Sequence, residues 1–179
     1  MKFLKSKLND ALLIEIEELN DERGFFARSW DKKIFEDKGL DTNFVQNNIS
    51  LSKKKGTLRG LHYQLSPYQE TKLIRCTRGS VFNVIIDLRS DSSTYKQWEG
   101  VELNENNHRI RYIPKGFANG ILSLEDNSEI FYQVSEFYTP NYEKGIRWDD
   151  PSFDIKWPDE IHVISKKDLS WEPFENLNK

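Results

Sequence analysis

From residue 44 onward the chain is a succession of short runs of alternating or continuous apolar residues, each closed by a turn signal, and that spacing selects β-structure. The runs are Phe44 to Ser52, Leu58 to Gln64, Lys72 to Thr77, Ser80 to Leu88, Gln97 to Leu103, Arg109 to Ile113, Gly120 to Leu124 and Glu129 to Phe137. Many short strands at such intervals predict an all-β sandwich or barrel. In the fourth run Phe82, Val84, Ile86 and Leu88 share one face while Val81, Asn83, Ile85 and Asp87 share the other, so both faces carry apolar side chains. A strand covered on both sides suits a jelly roll. Only Asp31 to Lys38 offers a helix.

The 179 residues suffice for one domain with a sizeable core and are short for two, and no repeat, low-complexity tract or linker marks a boundary, so residues 1–179 read as a single domain. Lys and Arg number 26 against 29 Asp and Glu, a formal net charge of -3. That balance gives no reason to expect nucleic acid or an anionic membrane as partner; an anionic ligand must be held by a local patch. The single cysteine, Cys76, alternates onto the face of Ile74 and reads as a structural thiol. The apolar stretch Ala11 to Ile14 runs into Glu15, Glu17 and Glu18, too short and too acidic for a signal or a membrane span, so a cytoplasmic location is the default expectation.

The chemistry concentrates in Thr57 to Gln64, which reads T-L-R-G-L-H-Y-Q, with Thr71-Lys72-Leu73 close behind. A lone strand histidine is more often structural than catalytic, and either Arg59 or Lys72 alone reads as a solvated sheet edge. Together they favour a site: His62 as a base beside two fixed positive charges that suit phosphate and a developing oxyanion, with Gly60 letting the backbone bend between Arg59 and His62. His62, His108 and His162 are far apart and form no metal-binding motif, so no metal is expected. No nucleophile elbow, dinucleotide loop or Walker loop occurs, and no cofactor is implied.

These residues sit in a longer ordered series: Asp21 to Phe26, Gln46-Asn47-Asn48, L-R-G-L-H-Y-Q, Thr71 to Leu73, Asp87 to Arg89, Tyr112 to Pro114 with Gly116 to Ala118, Phe131-Tyr132, Tyr138 to Pro140, Arg147 to Pro151, Ile155 to Pro158 and Ser165 to Asp168. The series resembles the dTDP-4-dehydrorhamnose 3,5-epimerase family over nearly the whole chain. The resemblance implies a cupin-type jelly roll (double-stranded β-helix) with few short helices, free of metal and cofactor, acting on a nucleotide-linked 4-keto-6-deoxy sugar, and forming a homodimer. Carried over by position, it implies His62 as general base, Asp168 as the carboxylate that orients it, and Lys72 beside the sugar ketone. Tyr132 is implied as the acid that reprotonates the enolate on the opposite face, with Tyr138, which resembles a residue stacking on the nucleotide base, as the alternative. Arg23, Gln46, Asn47, Asn48 and Arg59 resemble groups that hold the diphosphate, Glu143 and Lys167 line the family's site, and Phe26 resembles an aromatic contact to the nucleoside. In this family the N-terminal strand often reaches the neighbouring subunit.

Three departures carry expectations of their own. Where the family reads G-F-A-H-G this chain has Gly116-Phe117-Ala118-Asn119-Gly120, and the aspartate that accompanies that histidine is Asn83. Asn119 can donate a neutral N–H but cannot take up a proton. A retuned site follows, in which inversion at C3 only or C5 only, or ketoisomerisation, becomes an alternative; a non-catalytic sugar-nucleotide binding protein is the alternative from another class. Arg28 stands where the family commonly has a glutamate that accepts from the thymine imide, so a CDP- or GDP-linked sugar is a further expectation, with a solvent-facing Arg28 as the plain alternative.

Overall fold

The computed structural model describes residues 1–177. Two facing antiparallel sheets account for most of it. One is formed by β1 (Lys2–Lys5), β2 (Leu12–Glu15), β10 (Ile110–Ile113), β7 (Lys72–Arg78), β12 (Ser128–Val134) and β5 (Gln46–Ser52), in that spatial order. The other runs β13 (Glu143–Gly145), β6 (Thr57–Gln64), β11 (Phe117–Ser123), β8 (Ser80–Asp87) and β9 (Trp98–Asn104), with β14 (Val163–Ile164) parallel on β6. From β5 to β8 and again from β9 to β13 successive strands alternate between the sheets, the wrapping of a jelly roll, while β8 and β9 pair as a hairpin within the second sheet. A separate hairpin, β3 (Glu18–Asp21) with β4 (Gly24–Ala27), stands exposed beside them.

All eight runs read from the sequence form strands, with ends displaced by no more than three residues. The expected helix is shorter than its pattern: α1 spans Lys32–Glu36, capped by the Asp31 carboxylate, which accepts from the Ile34 N–H at 3.2 Å. It exists because Phe35, fully buried, closes the outer face of the first sheet against Ile14, Ile110 and Tyr112. Two further single-turn helices, α2 (Lys166–Leu169) and α3 (Phe174–Leu177), correct the expectation of one helix; four residues are too few for a helical period to show in sequence.

Between the sheets lie Ile74, Cys76, Ile85, Leu103, Ile113, Phe117 and Ile130. Cys76 is fully buried there, and burial pushes its thiol up to about 11, so it stays neutral as a structural residue. Leu61, Val84, Ile86, Ala118 and Ile146 pack on the other side of the second sheet, which explains why β8 is apolar on both faces.

Asp87 ends β8 with no exposed surface and accepts from Arg89 Nη2 (2.8 Å), Ser92 Oγ (2.6 Å) and Thr94 Oγ1 (2.7 Å). Burial works to raise its pKa, but these donors outweigh it and hold the carboxyl at about 2. A carboxyl depressed on folding stabilises the fold above its unfolded pKa and loses that contribution as pH falls through the folded value. Asp87→Asn is therefore expected to lower stability at pH 7 by about 2 kcal/mol and to flatten the decline between pH 4 and 2, read by urea unfolding against pH. Parallel curves for the two proteins would refute this role.

Candidate active site

A cavity of about 440 Å³ opens between the sheets, with Arg59 and His62 (β6), Lys72 (β7), Asn119 (β11), Tyr132 (β12), and Lys167 and Asp168 (α2) in its wall. A second, of about 350 Å³, shares His62, Lys72 and Tyr132 and adds Gln46, Asn48, Glu70, Tyr138 and Glu143. The two form one cleft around His62.

Strand periodicity alone would put Arg59 and His62 on opposite faces. They share the cavity because β6 carries an extra residue: Asn119 pairs with His62 and Ile121 with Arg59, so two steps along β11 span three along β6. Gly60 makes that bulge at φ +113°, and a side chain there would bring a Cβ to 2.6 Å from the Asn119 carbonyl oxygen. Only glycine fits.

His62 Nε2 lies 2.6 Å from Asp168 Oδ1. With the proton on Nε2 donated to Asp168, Nδ1 keeps the lone pair. Asp168 is only 4% exposed, and the Gly60 N–H points at its other oxygen at 3.4 Å. Burial alone would raise the carboxyl; the His62 hydrogen bond and charge, Gly60 and Ser165 more than offset it and hold it below the usual carboxylate range. Its helix is begun by Ser165, whose Oγ accepts from the Asp168 N–H at 3.0 Å. Read without the family resemblance Asp168 would pass for a surface acid; the packing of α2 on β6 buries it instead.

Lys72 is buried and ion-paired with Glu70. Tyr132 is half-buried; burial first, then the nearby Glu70 charge, raises its phenol, which stays protonated at neutral pH. Tyr138 is exposed at the rim and donates to Glu143 Oε2 at 2.6 Å; the same oxygen takes Lys167 Nζ at 2.5 Å. Gln46 Oε1 accepts from the Tyr138 N–H at 2.8 Å. Arg59 donates to the Leu51 carbonyl at 3.0 Å and to Ser52 Oγ at 3.2 Å.

Other residues singled out in the sequence lie elsewhere within the single chain. Asn47 alternates onto the opposite face of β5 from Gln46 and Asn48, and is exposed. Arg23 pairs with Asp21 on the outer hairpin, where Phe26 is 63% exposed, and neither lines the cleft. Arg28 donates to Asp31 Oδ2 at 3.1 Å on the surface, also away from the cleft. Asn83 is buried behind Asn119.

Two neighbours of the site were not foreseen. Glu70 was signalled only by its position two residues before Lys72. Trp171 stands edge-on to His62, ring centroids 6.3 Å apart, and closes over β13, where a Cβ at Gly145 would meet its ring at 2.2 Å. Nothing in the sequence marks that contact. Among the described residues no group of His, Cys, Asp and Glu side chains is arranged to hold a metal ion, and no helix is long and apolar enough to cross a membrane.

A family model described as dTDP-4-dehydrorhamnose 3,5-epimerase matches residues 5–176. The dTDP-4-dehydrorhamnose 3,5-epimerase of Methanothermobacter thermautotrophicus is 45% identical over 176 residues, covering 97% of this chain and 94% of that protein. The Bacillus anthracis enzyme of the same name, crystallised with TDP and PPi, superimposes with a TM-score of 0.93 at 40% identity, covering 97% of this chain and 99% of that one. The dTDP-6-deoxy-D-glucose-3,5-epimerase of Legionella pneumophila, in complex with dTDP-4-keto-L-rhamnose, has a TM-score of 0.91 at 37% identity over 97% of this chain and 93% of its own. With the His62–Asp168 pair, Lys72 and Tyr132 gathered in one cleft of a cupin-type jelly roll, the chain belongs to the dTDP-4-dehydrorhamnose 3,5-epimerase family.

Proposed function

We propose that this isomerase inverts C3 and C5 of a dTDP-linked 4-keto-6-deoxy sugar, and that the His62–Asp168 pair beside Lys72 and Tyr132 performs the chemistry. The carrying observation is the 2.6 Å contact that leaves His62 Nδ1 free in the cleft. His62 removes the proton next to the C4 ketone; the C–H electron pair moves into the ring and negative charge settles on the ketone oxygen as an enolate. The Lys72 ammonium stabilises that oxygen. Tyr132 then gives its phenolic proton to the opposite face of the planar carbon, and solvent returns a proton to the phenolate and takes one from His62. Tyr132 suits this role better than Tyr138 because it lines both parts of the cleft with His62 and Lys72, whereas Tyr138 stands at the rim.

The diphosphate is assigned to Arg59, Gln46, Asn48 and Lys167, the polar and cationic groups along the cleft. The relatives named for dTDP sugars support that carrier, and Arg28, held on the surface by Asp31, gives no reason within this chain to prefer another. A homodimer accounts for the exposed apolar Leu19, Phe25 and Phe26 on the outer hairpin, and would bring Arg23 and Phe26 to a neighbour's nucleotide. Light scattering reading one chain mass of 21.2 kDa instead of two would exclude the dimer.

In deuterated water with dTDP-4-keto-6-deoxyglucose, the protein is expected to place deuterium at both C3 and C5, followed by NMR. Exchange at one carbon would make it a single-centre epimerase, and none would leave a binding role. Tyr132→Phe is expected to keep proton abstraction while slowing the inverted product by about 100-fold. An unchanged product rate would move the acid role to Tyr138.

A further inference from the structure

Behind the cleft, Asn83 Nδ2 donates to two acceptors, the Gly120 carbonyl at 3.0 Å and Asn119 Oδ1 at 2.7 Å. The Gly120 oxygen can only accept, so it settles which end of the Asn83 amide faces β11. Turned over, Asn83 would set oxygen against oxygen. With its nitrogen placed, the Asn119 atom facing it must be Oδ1, and Asn119 Nδ2 is thereby turned away. Asn119 is the cross-strand partner of His62 and lines the same cavity, so its N–H₂ group is presented to whatever lies against His62. Among the described residues Nδ2 has no hydrogen-bond partner in the protein.

Asn83 itself has no exposed surface, and its Oδ1 is buried without a partner. An isolated buried acceptor is costly and a smaller apolar residue would avoid it. Both hydrogen bonds that the Asn83 amide makes go to β11, and together they fix the orientation of Asn119.

We propose that the chain Gly120 C=O, Asn83, Asn119 is a fixed amide relay that delivers an uncharged N–H donor to the ketone oxygen of the substrate, with Asn119 a catalytic residue and Asn83 its positioning residue. The inference rests on the sugar-epimerase reading of the cleft. Its consequence is that Asn119 helps carry the enolate charge without a proton of its own to gain or lose. The titratable or charged groups lining the cleft are Arg59, His62 and Tyr63 on β6, Glu70 and Lys72 leading into and on β7, Tyr132 on β12 and Tyr138 after it, Glu143 on β13, and Lys167 and Asp168 on α2. His62 is the only imidazole among them.

The test uses the full chain, dTDP-4-keto-6-deoxyglucose in deuterated water, exchange rates at C3 and C5 from pH 6 to 9, and dTDP affinity in parallel. Asn119→Asp keeps an oxygen for Asn83 and turns a carboxylate oxygen into the cleft. It is expected to slow exchange at least 30-fold while dTDP affinity stays within threefold. In Asn83→Asp the carboxylate accepts from Asn119 and reverses its amide, with a similar loss; because a buried carboxylate can cost folding, Asn83→Asp/Asn119→His is made as well. That pair is expected to regain exchange and to show a second ionisation in the neutral range, a signature a purely structural role would not produce. Exchange within threefold of wild type in Asn119→Asp, or a double variant with the wild-type pH profile, overturns the relay. Wild-type protein without exchange overturns the epimerase reading beneath it, which separates the two failures.

Discussion

His62→Asn is expected to lower deuterium incorporation at both sugar carbons by on the order of 10³- to 10⁴-fold, with dTDP affinity nearly unchanged. Asparagine keeps a polar group within reach of Asp168 but has no lone pair basic enough to take a carbon-bound proton. The effect is large because the remaining side chains of the cleft offer no second base in the right state: Lys72 is an ammonium paired with Glu70, and the Tyr132 phenol is raised by burial. Glu143 is engaged by Lys167 and Tyr138. Residual exchange above 10% of wild type would mean that one of these removes the proton and that His62 only positions the sugar.

Asp168→Asn is the second large change, expected to lower kcat by about 10²- to 10⁴-fold through the tautomer of His62 and not through loss of the ring. The carboxylate accepts the Nε2 proton and leaves Nδ1 basic; an asparagine that turns its N–H₂ toward the ring forces the proton onto Nδ1, the nitrogen proposed to act as the base. Because Asp168 is held below the usual carboxylate range, it remains charged through the neutral region in the wild type, and decline of activity on mild acidification belongs to other groups. The check is kcat against pH for both proteins with circular dichroism as a control for α2. An Asp168→Asn enzyme within threefold of wild type would show that the 2.6 Å contact has no catalytic role.

The middle of the chain was legible because its strands are buried between layers, so that apolar alternation in β5 to β12 is a direct record of which face meets the core. The first and last portions were not. β1, β3 and β4 are largely exposed, and with no face committed to the core no period is written into them. β13 and β14 have three and two residues, below the length at which alternation can be seen. In the site, L-R-G-L-H-Y-Q identified Arg59 and His62, while Asp168 lies 106 residues away and was assigned only through resemblance to a family.

By itself the sequence determined the layered β architecture, the placing of Cys76 on the face of Ile74 as a structural thiol and the local grouping of Arg59, His62 and Lys72, because each depends on residues near one another in the chain or on the two-residue period of a strand. Tertiary structure alone decided that Arg59 and His62 face the same way, through one extra residue in β6 opposite β11, and that Asp168 is buried against the imidazole by α2 packing on that strand. It likewise decided which end of Asn119 enters the cleft, through a carbonyl on its own strand and an amide from β8. Orientation of this kind depends on which strand lies beside which, and hydrogen-bond partners brought together across a sheet leave no spacing in the sequence to read.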